Sequence, residues 1–216
     1  MEFATVVNER HSVRDFTQEE IPVDVLRQIT QLAQKTPTWV NEQPAKVYFV
    51  TKDAALRLRH EYEKRINDNE PAHSDIEPMP REKWPERNQN IMGRWTIEFK
   101  KQFEPGQVHF NHAQKTLFNA PVFAFITIPK GIFDWAIFDA GAYSNTLMLA
   151  AKSLGVDSIA AYATVIYPEV VRTIANIPED ELLVIGIGLG YASKDDINTF
   201  VPSRASVDDV MTVVES

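Results

Sequence analysis

The chain has 216 residues, a formal net charge of −8, 44% hydrophobic and 24% charged residues, a composition that fits one large or two small globular domains with a substantial core. It holds no cysteine, which excludes disulfides, thiolate nucleophiles, iron–sulfur clusters and cysteine-ligated zinc. The acidic balance argues against nucleic-acid binding, no run nears the roughly 18 apolar residues of a membrane span, and acidic Glu2 stands where a signal peptide would be basic, so a cytoplasmic protein is expected.

Phe3, Val6 and Val7, with Arg10 one turn on, follow helical spacing and predict a short first helix. The stretch RHSVRDF, residues 10–16, then falls at the helix end and in the loop beyond it. Basic residues there either complement the helix dipole or hold a small anion, and charge alone leaves both readings open. PVDVLRQITQLAQK repeats Val25, Ile29 and Leu32 at helical intervals behind Pro22. A polar loop with two prolines follows over 36–44, then a strand over 46–51 and a helix over about 54–66.

Residues 67–112 change character, with Pro71, Pro78, Pro80 and Pro85 interrupting regular structure. Trp84 and Trp95 are unusual for a free linker, so this stretch is expected to be a mobile, lid-like excursion, partly helical after Asn90. APVFAFITI predicts a buried strand over 122–128. The longest helix is expected over 134–154, closed by Gly155 and rich in small side chains that let a neighbouring helix approach. DSIAAYA reads as a short strand, PEVVRTIAN as a helix with Pro168 near its first turn, and ELLVIGIGLGYA as a strand; the extension over 203–216 is too short for a core of its own. Strands and helices mix without regular βαβ alternation, which argues for a layered α+β domain.

GIGLG, residues 186–190, is not a dinucleotide fingerprint, because a polar stretch broken by Pro202 follows it instead of a helix. The alternation puts Gly186, Gly188 and Gly190 on one strand face and Ile185, Ile187 and Leu189 on the other, so another backbone or helix should pack on the bare face. His109 and His112, with Glu104 nearby, have metal-like spacing but lack a third ligand, and no GxSxG elbow supports a nucleophilic serine. What remains is Arg10 and Arg14 with His11, the loop TPTWVNEQP, and Arg204 in VPSRAS. Three guanidiniums on one spot would clamp a phosphate, while the amides of Asn41 and Gln43 suit a heterocycle with alternating N–H and C=O groups.

With these stretches in view, the whole chain resembles the FMN-dependent nitroreductase family, through RHSVRDF, TPTWVNEQP, LFNAPVFAFI, NTLMLAAKSLGVDSIAAYA, IPEDELLVIGIGLGY and PSRAS, in that order. The long excursion and GIGLGYA look most like its nitrobenzoate-reductase branch. The resemblance implies a single domain over 1–216, a three-layer α+β sandwich with a mostly antiparallel sheet, assembled as an obligate homodimer with FMN at the interface. It places Arg10, His11, Ser12 and Arg14 on the phosphate, ribityl chain and pyrimidine edge, with Arg14 as the charge stabiliser, and Arg204 on the phosphate. Pro37, Thr38, Trp39 and Asn41 match the loop laid along the second subunit's flavin, Tyr162 and Ala163 the backbone at the reactive edge, and Gln114 a flavin-contacting position. The chain departs from the family pattern at Thr38, Trp39, Ala45, Asn145–Thr146 and Pro202. The implied activity is an NADH- or NADPH-dependent ping-pong hydride transfer to nitroaromatics or quinones, with no protein nucleophile and no metal. The alternatives are other flavin chemistry, such as reductive dehalogenation or dehydrogenation, and a non-catalytic flavin-binding protein.

Overall fold

An unbroken run of apolar and β-branched side chains suits a strand covered on both faces, and β2, Val122–Pro129, is buried at every position but its last. A computed structural model describes residues 1–103 and 106–215, apart from the side chains of 106–109. Four strands form one sheet in the order β1-β2-β4-β3, all pairs antiparallel: β1 is Lys46–Thr51, β3 Asp157–Ala161 and β4 Glu181–Gly190. β2 divides its side chains between two cores. Val122, Ala124, Ile126 and Ile128 meet α2, Val23–Ala33, and α6, Trp135–Ser153, whereas Phe123 and Phe125 meet α3, Lys52–Asn67, and α7, Pro168–Ala175. The result is the expected sandwich of helices, antiparallel sheet and helices.

The long helix ends as its sequence indicates, with Gly155 at φ 81° directly after the C-cap, a conformation glycine adopts without steric cost. Two helical readings shift. α2 buries Leu26, Ile29 and Ala33 and leaves Leu32 exposed, because its inward stripe is centred one residue round from the apolar spacing read in the sequence. In the excursion, α4 runs over Glu86–Gln102, beginning immediately after Pro85 and before Asn90; proline is compatible with a helix start and only blocks the interior. α5, Gly106–Lys115, follows. The first helix, α1, Phe3–Glu9, buries only Val6 and packs on α6.

The bare glycine face of β4 is filled by side chains, not by a helix. A Cβ on Gly186 would overlap Thr164 and stand 2.7 Å from Phe125, and one on Gly190 would stand 2.8 Å from Phe16 and 2.9 Å from Pro121. Opposite these glycines runs β3, one of the two edge strands, with Ala161 facing Gly186 and Asp157 facing Gly190. The outer rim of β3 receives residues 12–13: Ser12 bridges Ser158 in parallel, and the Val13 N–H donates to the Ser158 carbonyl at 3.1 Å. In this way RHSVRDF is laid against the sheet edge.

Candidate cofactor site

The arginine loop is held by a partner that the sequence does not advertise. Asn198, in a 3₁₀ turn over Asp196–Thr199, accepts through Oδ1 from the backbone N–H of Arg14 at 2.7 Å and of Asp15 at 3.0 Å, and its Nδ2 donates to the Asp15 carbonyl at 2.7 Å. Asp15 extends the clip, accepting from Asn119 Nδ2 at 2.7 Å and from the Ser193 hydroxyl. Both ring nitrogens of His11 face backbone carbonyls, Glu9 at 2.9 Å and Asn198 at 3.1 Å. His11 therefore ties the loop to the 196–199 turn.

The loop and the C-terminal segment thereby bring Arg10 within electrostatic reach of Arg204 and set Arg14 against Phe200. Arg14 is 6% exposed; its Nη1 donates to the Ser12 carbonyl at 2.9 Å and reaches the Phe200 carbonyl at 3.5 Å, and its guanidinium lies over the Phe200 ring, 5.3 Å from the centroid. Burial pulls its pKa down to about 10. Arg10, half-buried at the end of α1, is lowered by burial and then by the positive charge of Arg204. Among the described residues Arg204 bonds only backbone carbonyls, those of Pro202 at 2.9 Å and Ser203 at 3.1 Å. Among the described residues none of the three arginines has a carboxylate partner. Packing cations together without a counter-charge is costly. Arg10 and Arg204 repel one another, and Arg14 is desolvated beside Phe200.

Four residues along β3 from Ser158, about 13 Å at strand rise, the chain turns through a 3₁₀ turn over Tyr162–Val165. Tyr162 is half-exposed and Ala163 buried. The turn is fixed from beneath: buried Tyr62 donates to the Thr164 carbonyl at 2.7 Å, and the Thr164 hydroxyl donates to the Ala161 carbonyl at 2.6 Å. Tyr162 Oη lies 3.3 Å from the Ser74 hydroxyl, at the root of the excursion. That root is anchored in turn by Asp75, which accepts from Arg172 Nη2 at 2.7 Å and the Leu183 N–H at 2.8 Å.

The loop carrying Pro37, Thr38, Trp39 and Asn41 is anchored elsewhere. The Trp39 N–H donates to Asp139 Oδ2 of α6 at 3.0 Å, the Trp39 ring meets Phe133 edge-on at 4.9 Å, and the Thr38 hydroxyl accepts from the Gln43 N–H at 3.0 Å. Val40, Asn41 and Gln43 all have positive φ, at 45°, 60° and 52°; for a β-branched valine that is a strained conformation. No hydrogen bond or ring contact among the described residues joins this loop to the arginines of its own chain. Gln114 is half-buried on α5, beside the core residue Ala113. Trp95 stands in an aromatic cluster with Phe99, Phe110 and Phe200, while Trp84 donates to the Met79 carbonyl at 3.0 Å. Glu104 and the His109 side chain lie outside the described residues. No described helix is long and apolar enough to cross a membrane, and no described group of three His, Asp or Glu side chains gathers as a metal site.

Comparison with known proteins gives this geometry its context. The signature described as the Nitroreductase family matches residues 7–191. The chain belongs to the nitroreductase family. Curated relatives of this nitroreductase include a chloronitrobenzene nitroreductase of Comamonas testosteroni, 25% identical over 97% of this chain and 95% of the relative. A 4-nitrobenzoate reductase of Nocardioides sp. (strain LMS-CY) is 26% identical over 95% of this chain and 87% of its own. Among solved structures, the FMN- and NADPH-dependent nitroreductase NfnB from sphigopyxis sp. strain HMH superposes with a TM-score of 0.88 at 20% identity, covering both chains completely. NfnB from Mycobacterium smegmatis, solved with NADPH, superposes at 0.85 and 24% identity over 99% of this chain and 100% of that one. These likenesses establish the nitroreductase fold.

Proposed function

We propose that this nitroreductase binds FMN and uses NADH or NADPH to reduce nitroaromatics or quinones, with the two substrates entering one cleft in turn. The single observation that carries the reading is the proximity of Arg10 to Arg204, with no carboxylate partner for either among the described residues and with buried Arg14 on the same loop as Arg10. Arg10 and Arg204 would hold the phosphate, with Ser12 beside the ribityl chain. Arg14 brings a buried positive charge whose described hydrogen bonds all leave from Nη1, so its remaining donors are available to the pyrimidine edge. FMN, when bound, supplies the hydride-accepting and hydride-donating centre. The backbone of Tyr162 and Ala163, immobilised by Tyr62 and Thr164, forms the wall at the reactive edge, and Arg14 stabilises negative charge that develops beside it.

The functional unit of this reading is a homodimer. Trp39, Val40, Phe133, Trp135 and Phe138 form an exposed apolar surface around the start of α6, larger than scattered single side chains account for. A second copy would cover it and bring its 37–41 loop, with Gln114 near by, to the ring system. Nicotinamide reductants are cytoplasmic, which supports a cytoplasmic location for the protein. The test is direct: the purified protein should be yellow, with absorption near ~450 nm that bleaches on adding NADH or NADPH and returns with a nitroaromatic or quinone. Arg14→Ala should lose FMN affinity by about tenfold or more. A protein that stays colourless after reconstitution with FMN would overturn the reading.

A further inference from the structure

The excursion grips the C-terminal segment at three successive points on one helical face. Gln102 Nε2 donates to the Thr199 hydroxyl at 2.8 Å. Phe99 and Trp95 pack on the Phe200 ring at centroid distances of 5.0 and 5.8 Å. The Glu98 carboxylate accepts from both the backbone N–H of Ser203, at 3.2 Å, and its hydroxyl, at 2.5 Å. Residues 95, 98, 99 and 102 are spaced as neighbours on a single stripe of α4. Residues 200–206 have no regular secondary structure, so their place is set by what they lean on. In the same segment, Phe200 carries Arg14 against its ring, and the Ser203 carbonyl accepts from Arg204 Nη1 at 3.1 Å.

We propose that Glu98 is a positioning residue for cofactor selectivity: by fixing Ser203 through two hydrogen bonds, it aims Arg204 at the phosphate and so makes the protein discriminate FMN from riboflavin. The proposal rests on the reading of Arg10 and Arg204 as the phosphate clamp. Glu98 itself does not touch the cofactor. The Ser203 hydroxyl and N–H hold its carboxyl below the ordinary range, so the acceptor remains ionised at neutral pH. The gain comes from preorganisation: an arginine on a tethered segment loses less freedom when the phosphate arrives. Thus α4 acts as a buttress behind the phosphate site.

The experiment compares dissociation constants of FMN and riboflavin for the full-length apo-protein, its Glu98→Ala variant and, as a milder change that keeps the backbone bond, Ser203→Ala. Glu98 lies on a partly exposed face of α4, and an unchanged circular-dichroism spectrum and melting temperature would show that the variants keep the fold. Glu98→Ala should weaken FMN about tenfold and riboflavin less than about twofold, with Ser203→Ala between the parent and Glu98→Ala. Equal weakening of both ligands, or unchanged selectivity, would overturn the proposal, the first pointing to a merely structural role. A parent protein that binds both ligands alike would remove the phosphate clamp itself, and this inference with it.

Discussion

Gly186→Ala tests the packing that holds the turn carrying Tyr162 and Ala163. The added Cβ would overlap Thr164 Oγ1 and stand 2.7 Å from Phe125 Cε1 and 2.8 Å from Thr164 Cβ. Thr164 has no room to withdraw, since it is fully buried, donates to the Ala161 carbonyl at 2.6 Å and accepts from Tyr62 at 2.7 Å. Overpacking of this kind costs about 1–3 kcal/mol, and the absence of slack places this site near the top of that range. In a domain of this size that lowers the melting temperature by roughly 6–12 °C. Gly188→Ala is the internal control: its Cβ would meet Ala120 and Ile159 at 3.1 and 3.2 Å, a milder contact worth about 1 kcal/mol, or roughly 2–4 °C. Thermal melts of both variants give the stability. Nitroaromatic turnover gives the functional half, because only Gly186 presses on the turn beside Tyr162 and Ala163. If Gly186→Ala melted within about 1 °C of the parent, or no lower than Gly188→Ala, the argument that Thr164 fixes this turn would be wrong.

Three further outcomes follow from the site's supports. Asn198→Ala strands two backbone N–H groups and should cost about 2–4 kcal/mol in urea unfolding, with weaker FMN retention because Arg14 loses its seat. Asp139→Ala should free the 37–43 loop from α6, read as faster proteolysis there and a shifted Trp39 emission, whereas Asp139→Asn keeps an acceptor for the Trp39 N–H and should behave like the parent; equal loosening in both would refute the anchor. Burial pushes the Glu181 carboxyl up, but hydrogen bonds from Lys46, Thr127 and Tyr48 outweigh it and leave it below its ordinary value. Its stabilising contribution is therefore present above that ordinary value and lost as pH falls through the folded one, so the stability gap between the parent and Glu181→Gln should hold above ~pH 5 and shrink as the pH is taken below the ordinary carboxylate range. A gap independent of pH would show that the carboxylate's charge is not what matters.

The strands were legible because β2 and β4 carry patterns that only burial explains, and the start of β1 is marked by the proline before it. The glycine alternation of β4 announced a close neighbour but not its identity; Thr164, Phe16 and Pro121 reach those glycines from distant parts of the chain, and no local rule pairs them. The helix α4 was half hidden, since four prolines nearby read as breakers when the last of them starts the helix. At the site, the charge excess of Arg10 and Arg14 was visible, and Arg204 joined it through position and resemblance. Asn198, Phe200 and Glu98 left no signal: each is an ordinary residue in an unremarkable stretch, and each acts only because folding sets it beside a partner nearly a hundred or more positions away. Tertiary hydrogen bonds of this kind have no periodicity to read.

The meeting of Arg10 with Arg204 has a thermodynamic consequence. A phosphoryl group seated between them would act as a reversible staple across the two ends of the polypeptide, whose strength depends on how much free ligand surrounds it. At a hundredfold excess over the dissociation constant, such linkage is worth about 2.7 kcal/mol. Stripped of ligand, the molecule should fray from both tails while the sheet stays whole, and a purification tag that drags on the carboxyl end would mimic starvation for flavin.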